Sequence, residues 1–510
     1  MADLERVNLV VVGHVDHGKS TSLGHLLFLL GQIHDPKKNR EPWRIVEKYF
    51  KTSKDAGMSS FSYAYILSPS PDEQARGITI NINFQEFKSK KYIYNLIDAP
   101  GHSDFVKNMI SGASQADAAI LTVSARKGEF EDGTKSTGTS SGKYQNVIGM
   151  TVEHMLLLVS LGVTDIVVSV NKMDTVNWDK ARFELVKTQI SKILATLMKA
   201  VKIEDADERV SKINFVPVSG LIGINLLPKD VTIKNLEEHI KSATAGKADP
   251  EFISNLQKEL EDIKGQWPDW YNGPSLLDAL DLIPSPAQKQ TSLQKQSLRV
   301  PVQGVHNISG IGNVLTGRVA TGLLRPGDKV VIAPTKQTND PVSIDVKSVQ
   351  EFHIDIPVGK PGDNIGLSIK AKNLGAKDII KGAVVSAESD PAKVLTPNKD
   401  GFLAMVLVVR SLGKKGKAKE KEWSIHKEYA PVIHVGTAQV TCRVIDIKNL
   451  QGQDVAELKQ NERGMIWMTP VQPVVIEPLT KTPPLGRFAV RDSGKTVAVG
   501  IVEKVEFGKY

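Results

Sequence analysis

The pattern of apolar and polar positions changes character near Leu298. Before it, short runs rich in Val, Ile and Leu recur at 8–13, 92–97, 118–124, 165–170 and 214–218, and helix-length segments separate them. Continuously apolar strands of that kind are buried on both faces, so the pattern predicts a mostly parallel α/β sheet covered by helices. After Leu298 the runs shorten, alternate apolar with polar, and are punctuated as in Gly317-Arg318-Val319-Ala320-Thr321-Gly322 and Arg325-Pro326-Gly327-Asp328. That spacing predicts antiparallel β-barrels. Pro284-Ser285-Pro286 marks one boundary and the stretch 391–399 a second. The expected division is an α/β domain over 1–286 and two barrels over 297–392 and 398–510.

Composition narrows the setting. A chain of 510 residues exceeds a single core, and its 41% hydrophobic and 24% charged residues are close to globular averages. No apolar run approaches the roughly 18 residues needed to span a bilayer, so no membrane segment is expected. The start, Met1-Ala2-Asp3-Leu4-Glu5-Arg6, has no basic and apolar leader pattern, which points to a cytoplasmic protein. The single cysteine, Cys442, excludes an intramolecular disulfide and is expected to be a small buried residue. A net charge of +8 suits contact with a polyanion, and equally a bland basic surface.

The chemistry begins at Gly13-His14-Val15-Asp16-His17-Gly18-Lys19-Ser20, which fits G-x-x-x-x-G-K-[ST] between an apolar strand and a helix that starts at Thr21. Backbone N–H groups of such a loop curl around a phosphate at the helix N-terminus, where the dipole favours negative charge. Lys19 then reaches the outer phosphates and Ser20 holds Mg²⁺. Asn171-Lys172-Met173-Asp174 follows the run 165–170 and separates GTP from ATP. The Asp174 carboxylate can accept from both N1–H and the exocyclic amine of guanine, and Lys172 can lay its stem along the base. In Asp98-Ala99-Pro100-Gly101-His102 the aspartate suits the metal, Gly101 offers an unobstructed N–H to a terminal phosphate, and His102 stands nearest the attacking water. Thr79, in Arg76-Gly77-Ile78-Thr79-Ile80, can complete the Mg²⁺ shell.

Together with Ser219-Gly220, these motifs resemble those of the translational GTPases. More narrowly, Lys107-Asn108-Met109-Ile110, Gln115-Ala116-Asp117, Gly128-Glu129-Phe130-Glu131 and the stretch from Pro484 through Arg491-Asp492 are similar to the elongation factor 1-alpha family of archaea and eukaryotes. The resemblance implies a P-loop GTPase domain followed by two antiparallel β-barrels, GTP/GDP and Mg²⁺ as ligands, and delivery of aminoacyl-tRNA to the ribosomal A site. A guanine-nucleotide exchange factor is implied as a further partner. By position it makes Val15 and Ile78 an apolar gate beside His102. It also sets Ser219, Gly220 and Leu221 at the guanine and Lys107 and Asn108 beside the tRNA 5′ end. The first barrel, with Gly310-Ile311-Gly312, would hold the aminoacylated 3′ end.

Four stretches depart from that pattern. Ser68-Pro69-Ser70-Pro71-Asp72-Glu73-Gln74-Ala75 replaces a charged helical approach to Arg76, and its prolines disfavour continuous helix. The segment 226–266 is additional and strongly charged, with 251–264 helical in pattern and a surface decoration expected. The Gly/Ser/Thr-rich 133–142 and the lysine-rich 414–421 read as solvated loops. Two other functions compete. A ribosome-rescue or termination GTPase delivers a release-factor-like protein, and usually carries an N-terminal extension that is not expected here. A binder that keeps nucleotide only for structure has no use for His102.

Overall fold

The computed structural model describes residues 4–33, 41–68, 70–76, 79–80, 82–102, 105–134, 149–201, 203–351, 354–371, 374–409 and 424–508. Ile78, most of the stretch 133–142 and all of 414–421 lie outside them.

The first sheet comprises β1 (Glu5–Val12), β2 (Asn83–Lys88), β3 (Tyr92–Asp98), β4 (Ala118–Ser124), β5 (Asp165–Asn171) and β6 (Asn214–Pro217). Their order is β2-β3-β1-β4-β5-β6, parallel except for β2, which runs antiparallel to β3 at the edge. Along β1, Val7, Leu9 and Val11 enter one apolar core while Val10 and Val12 enter the core on the opposite face. That two-sided burial is the origin of the unbroken apolar run. Because β1 lies inside the sheet, the loops leaving the C-terminal ends of β1, β3 and β5 open onto one crevice.

The sequence beyond 298 forms β7 (Arg299–Ile308), β8 (Gly312–Arg318), β9 (Lys329–Thr335), β10 (Val342–Glu351), β11 (Ile354–Asp355), β12 (Asn364–Lys370) and β13 (Ile379–Ala387). Six of them close a ring in the order β10-β12-β8-β7-β13-β9, sealed by the pairing of β9 with β10, and β11 is appended at the rim. A second closed barrel of six strands runs from Gly401–Val408 to Lys495–Glu506. Cys442 is fully buried inside it.

Polar contacts hold the three bodies together. Asn8 Nδ2 donates to the Gly362 carbonyl at 2.5 Å, and Arg6 Nε meets Glu351 at 3.0 Å. Arg299 is buried between the barrels, 3.0 Å from both Glu477 and Asp390. Thr496 N donates to Glu153 of the helix Met150–Leu161 at 3.2 Å.

One expectation is refined and one changes. In the stretch from Ser68 to Ala75 helix begins only at the second proline, as Pro71–Arg76, where the missing N–H belongs to the first turn and has no intrahelical acceptor to lose. The segment 226–266 folds as the helices Lys229–Ala245 and Pro250–Gln266. It is more than decoration, since Leu236, Ala243, Phe252, Leu256 and Ile263 share one buried core with Leu26, Phe28 and Trp43. Among the described residues, no helix is long and apolar enough to cross a membrane.

Candidate functional site

A cavity of about 520 Å³ opens at the crevice above β1, β3 and β5. Val15, Asp16, Gly18, Lys19, Ser20 and Thr21 line its floor, Thr79, Gly101 and His102 one end, and Asn171, Lys172, Asp174 and Leu221 the other. Gly13, His14, His17, Asp98, Ser219, Gly220, Lys107 and Asn108 are not among its lining residues.

The phosphate loop is shaped by Asp16 (φ 61°) and Gly18 (φ 82°), both left-handed, which turn the chain into the helix Lys19–Leu29. Lys19 Nζ donates to the carbonyls of Gly13 at 2.9 Å and His14 at 3.0 Å. Burial lowers its pKa to about 8 against the pull of Asp98 and Asp16. The His17 ring is turned into the core, between the carbonyls of Thr122 and Glu129, each 3.3 Å away. Burial pushes its pKa down to about 3, so it is neutral at physiological pH and only its backbone can serve the loop.

At the Thr79 end, Ser20 Oγ donates to Asp98 Oδ2 at 3.0 Å and lies 3.3 Å from Thr79 Oγ1. Burial raises the Asp98 pKa to about 6, while Lys19 and the Ser20 hydroxyl oppose that rise. The other oxygen, Oδ1, is buried without a hydrogen-bond partner among the described residues. A buried carboxylate oxygen left open beside two hydroxyls is a donor set of the hard kind that suits Mg²⁺. Gly101 is required where it stands: a Cβ there would lie 2.3 Å from Lys19 Nζ and 2.8 Å from the Gly13 carbonyl.

The residues after Thr79 are clamped from two directions. Ile80 N donates to Glu73 Oε1 at 2.8 Å, and Asn108 Nδ2 donates to the Ile80 carbonyl at 2.9 Å. Sequence reasoning missed Glu73, which is 2% exposed. A carboxylate six residues before the threonine carries no motif of its own. At the opposite end, Asn171 ties three loops. Its Nδ2 donates to the His17 carbonyl and its Oδ1 accepts from Gly220 N, both at 2.8 Å. Lys172 adopts φ 62° and its Nζ sits 2.9 Å from Glu129 Oε2, another partner the motif did not reveal. Leu221, 45% exposed, turns toward the cavity.

Lys107 lines a separate cleft of about 370 Å³ between the helix Val106–Ala113 and the second barrel, with Pro431, His434, Gln439 and Arg491. Burial and the neighbouring Arg491, Lys381 and Lys107 hold His434 at about 3, so its imidazole is neutral, and the charged groups lining the cleft are Lys107, Arg491 and Asp492.

A phosphate loop and an Asn-Lys-x-Asp loop on one parallel sheet, followed by two closed barrels, define a GTPase of the translation-factor class. Residues 4–285 match the elongation factor Tu GTP binding domain, 312–386 elongation factor Tu domain 2, and 419–503 the GTP-eEF1A C-terminal domain-like family. Elongation factor 1-alpha of Aeropyrum pernix is 38% identical, covering 100% of this chain and 99% of that one. The factor of that name from Stylonychia lemnae is 37% identical over 98% of this chain and 95% of its own. The chain therefore belongs to the elongation factor 1-alpha family of the elongation factor Tu superfamily, and it is a translation elongation GTPase that binds GTP and GDP. Among solved structures, the Saccharomyces cerevisiae Ski7 GTPase-like domain bound to GDP and inorganic phosphate shares the fold, with TM-score 0.69 and 16% identity over 98% of this chain and 97% of that one. Translation elongation factor SelB from Methanococcus maripaludis does so with TM-score 0.54 and 19% identity, over 99% and 80%.

Proposed function

We propose that the GTP form of this chain binds aminoacyl-tRNA, carries it to the ribosomal A site in the cytoplasm, and releases it after hydrolysis, with an exchange factor restoring the GTP form. Ser20, Thr79 and Asp98 would hold Mg²⁺, which would supply positive charge to the outer phosphates. Asp174 selects guanine, with Ser219 and Leu221 beside the base. Gly101 N–H senses the terminal phosphate, His102 orients water, and Val15 borders that water, with Ile78 assigned to the same gate by the family resemblance alone.

The observation that supports the cargo reading is the adjacency of two side chains on one helix. Lys107 faces the cleft against the second barrel, which Arg491 also lines, while its neighbour Asn108 holds the peptide that follows Thr79. A terminal phosphate that fixes Thr79 thereby fixes the helix that presents Lys107, and a nucleic-acid phosphate in the cleft is felt at Thr79. A ligand shifts an equilibrium only through differential affinity, so charged tRNA should bind the GTP-analogue form far better than the GDP form. Affinity should fall as salt rises, and Lys107→Ala should lower that slope by about one. The measurement is an anisotropy titration with aminoacylated and deacylated tRNA, in both nucleotide states and at several salt concentrations. Binding that ignores nucleotide state would refute tRNA delivery and favour a protein-delivering GTPase.

Asn108→Ala isolates the linkage. Loss of one hydrogen bond at Ile80 should weaken GTP-analogue binding by about threefold and leave GDP binding unchanged, because in this reading Thr79 joins the metal shell only when the terminal phosphate is in place. Equal losses for both nucleotides would break the assignment.

A further inference from the structure

The helix pair in the segment 226–266 lies outside the nucleotide cavity, yet a file of contacts leads from it to the guanine end of that cavity. Glu259, on Pro250–Gln266, accepts from the Tyr63 hydroxyl at 2.8 Å. The Tyr63 ring stacks on His25, with centroids 3.9 Å apart and planes within 9°. His25 Nδ1 is 3.0 Å from the Gly220 carbonyl, and burial holds its pKa at about 4. The imidazole is therefore neutral, and the nitrogen facing a carbonyl is the one that carries the proton. Gly220 N donates onward to Asn171, whose amide donates to the His17 carbonyl in the phosphate loop.

The peptide units on both sides of Gly220 are thus pinned, one by Asn171 and the other by His25. The position of His25 depends on the ring beneath it, and Tyr63 is anchored by Glu259. The helix pair also grips the helix Lys19–Leu29 directly. His239 stacks on Phe28 at 4.3 Å, and Asn235 Nδ2 donates to the Leu29 carbonyl at 2.9 Å. Leu221, next to Gly220, borders the cavity. Any opening of this loop breaks the contact to His25 or moves the stack with it.

We infer that Tyr63 is a positioning residue for the guanine loop, and that the helix pair acts through Glu259 to slow the release of guanine nucleotide. Tyr63 and Glu259 are not among the residues that line the cavity. Their effect is on the dissociation rate, through loss of preorganisation in the 219–221 loop. The inference rests on the GTPase itself and not on its cargo.

The experiment is stopped-flow displacement of fluorescent GDP from the full chain. Tyr63→Phe keeps the stack and loses the hydroxyl, and should release GDP about threefold faster, the effect of one hydrogen bond. Tyr63→Ala loses both and should release it at least about tenfold faster, because the stack adds to the hydrogen bond. Glu259→Gln retains an acceptor oxygen and should stay within about twofold of the parent, whereas Glu259→Leu should match Tyr63→Phe. Phe252→Ala supplies the comparison, since it weakens the same helix pair at a ring that packs on Phe50 and makes none of the hydrogen bonds or ring stacks of the file. Parent-like release from Tyr63→Ala overturns the inference. So does acceleration by Phe252→Ala as large as that by Tyr63→Ala, which would make the pair a scaffold only. Should Tyr63→Ala fail to fold, Tyr63→Phe and Glu259→Leu carry the decision, and parent-like release from both would refute it.

Discussion

Asp174→Asn is expected to convert the chain from a guanosine to a xanthosine nucleotide binder. Asp174 borders the cavity from the turn Met173–Val176, after the C-terminal end of β5. There its carboxylate can accept from N1–H and the 2-amino group of guanine. An asparagine keeps one acceptor and replaces the other with a donor, which meets the C2 carbonyl of xanthine and repels the guanine amine. Hydrogen bonds to a charged group contribute about 1.5–3 kcal/mol each, so GTP affinity should fall by about 100-fold or more while XTP affinity rises. Lys172 and Asn171 retain their partners Glu129, His17 and Gly220, so the loop itself should not rearrange. Competition of GTP, XTP and ATP for the variant reads the outcome. An unchanged preference for GTP would remove Asp174 from base recognition.

The parts of this site legible in the sequence are those where chemistry dictates a local string. The phosphate loop needs its glycines in a fixed order before a helix. Asp98 and Gly101 need a strand end. The five apolar strands are legible because burial on both faces fills them with Val, Ile and Leu, and the few polar residues inside them, such as Asn8, Asn95 and Ser169, are themselves buried. The edge strand β2 was not, because only Phe87 of Asn83–Lys88 is buried and its pattern resembles a loop. Glu73, Glu129 and Asn108 act through partners at Ile80, Lys172 and again Ile80. Glu73 and Glu129 sit seven and 43 positions from those partners, and no single-chain period reports such a pairing. The charged segment 226–266 read as a solvated attachment because its polar faces dominate its composition. Its buried side chains meet Leu26 and Phe28, some 200 residues earlier, a match visible only in three dimensions.

His102→Ala is expected to leave nucleotide binding intact and to abolish most of the stimulated hydrolysis. His102 follows Gly101 at the phosphate end of the cavity, half-buried, its ring 5.9 Å from that of Phe105. It does not belong to the set proposed to grip the phosphates, which is Lys19, Ser20 and the loop backbone on the floor of the cavity. A group that orients water acts in the transition state and hardly in the ground state, so its removal lowers turnover without raising the nucleotide dissociation constant. A positioned histidine of this kind typically contributes about 10²–10⁴-fold, and the variant's single-turnover rate on ribosomes should fall by that factor. Fluorescent GTP-analogue and GDP titrations should overlay those of the parent. Charged tRNA should still be delivered and then retained, because release waits on loss of the terminal phosphate. Glutamine in place of His102 can still hold a water and should recover part of the rate, whereas alanine cannot. Parallel losses in GTP affinity and in turnover would instead make His102 a structural support of the loop 98–102, and the search for the water-orienting group would move to the other residues lining that end of the cavity, Thr79 and Glu73.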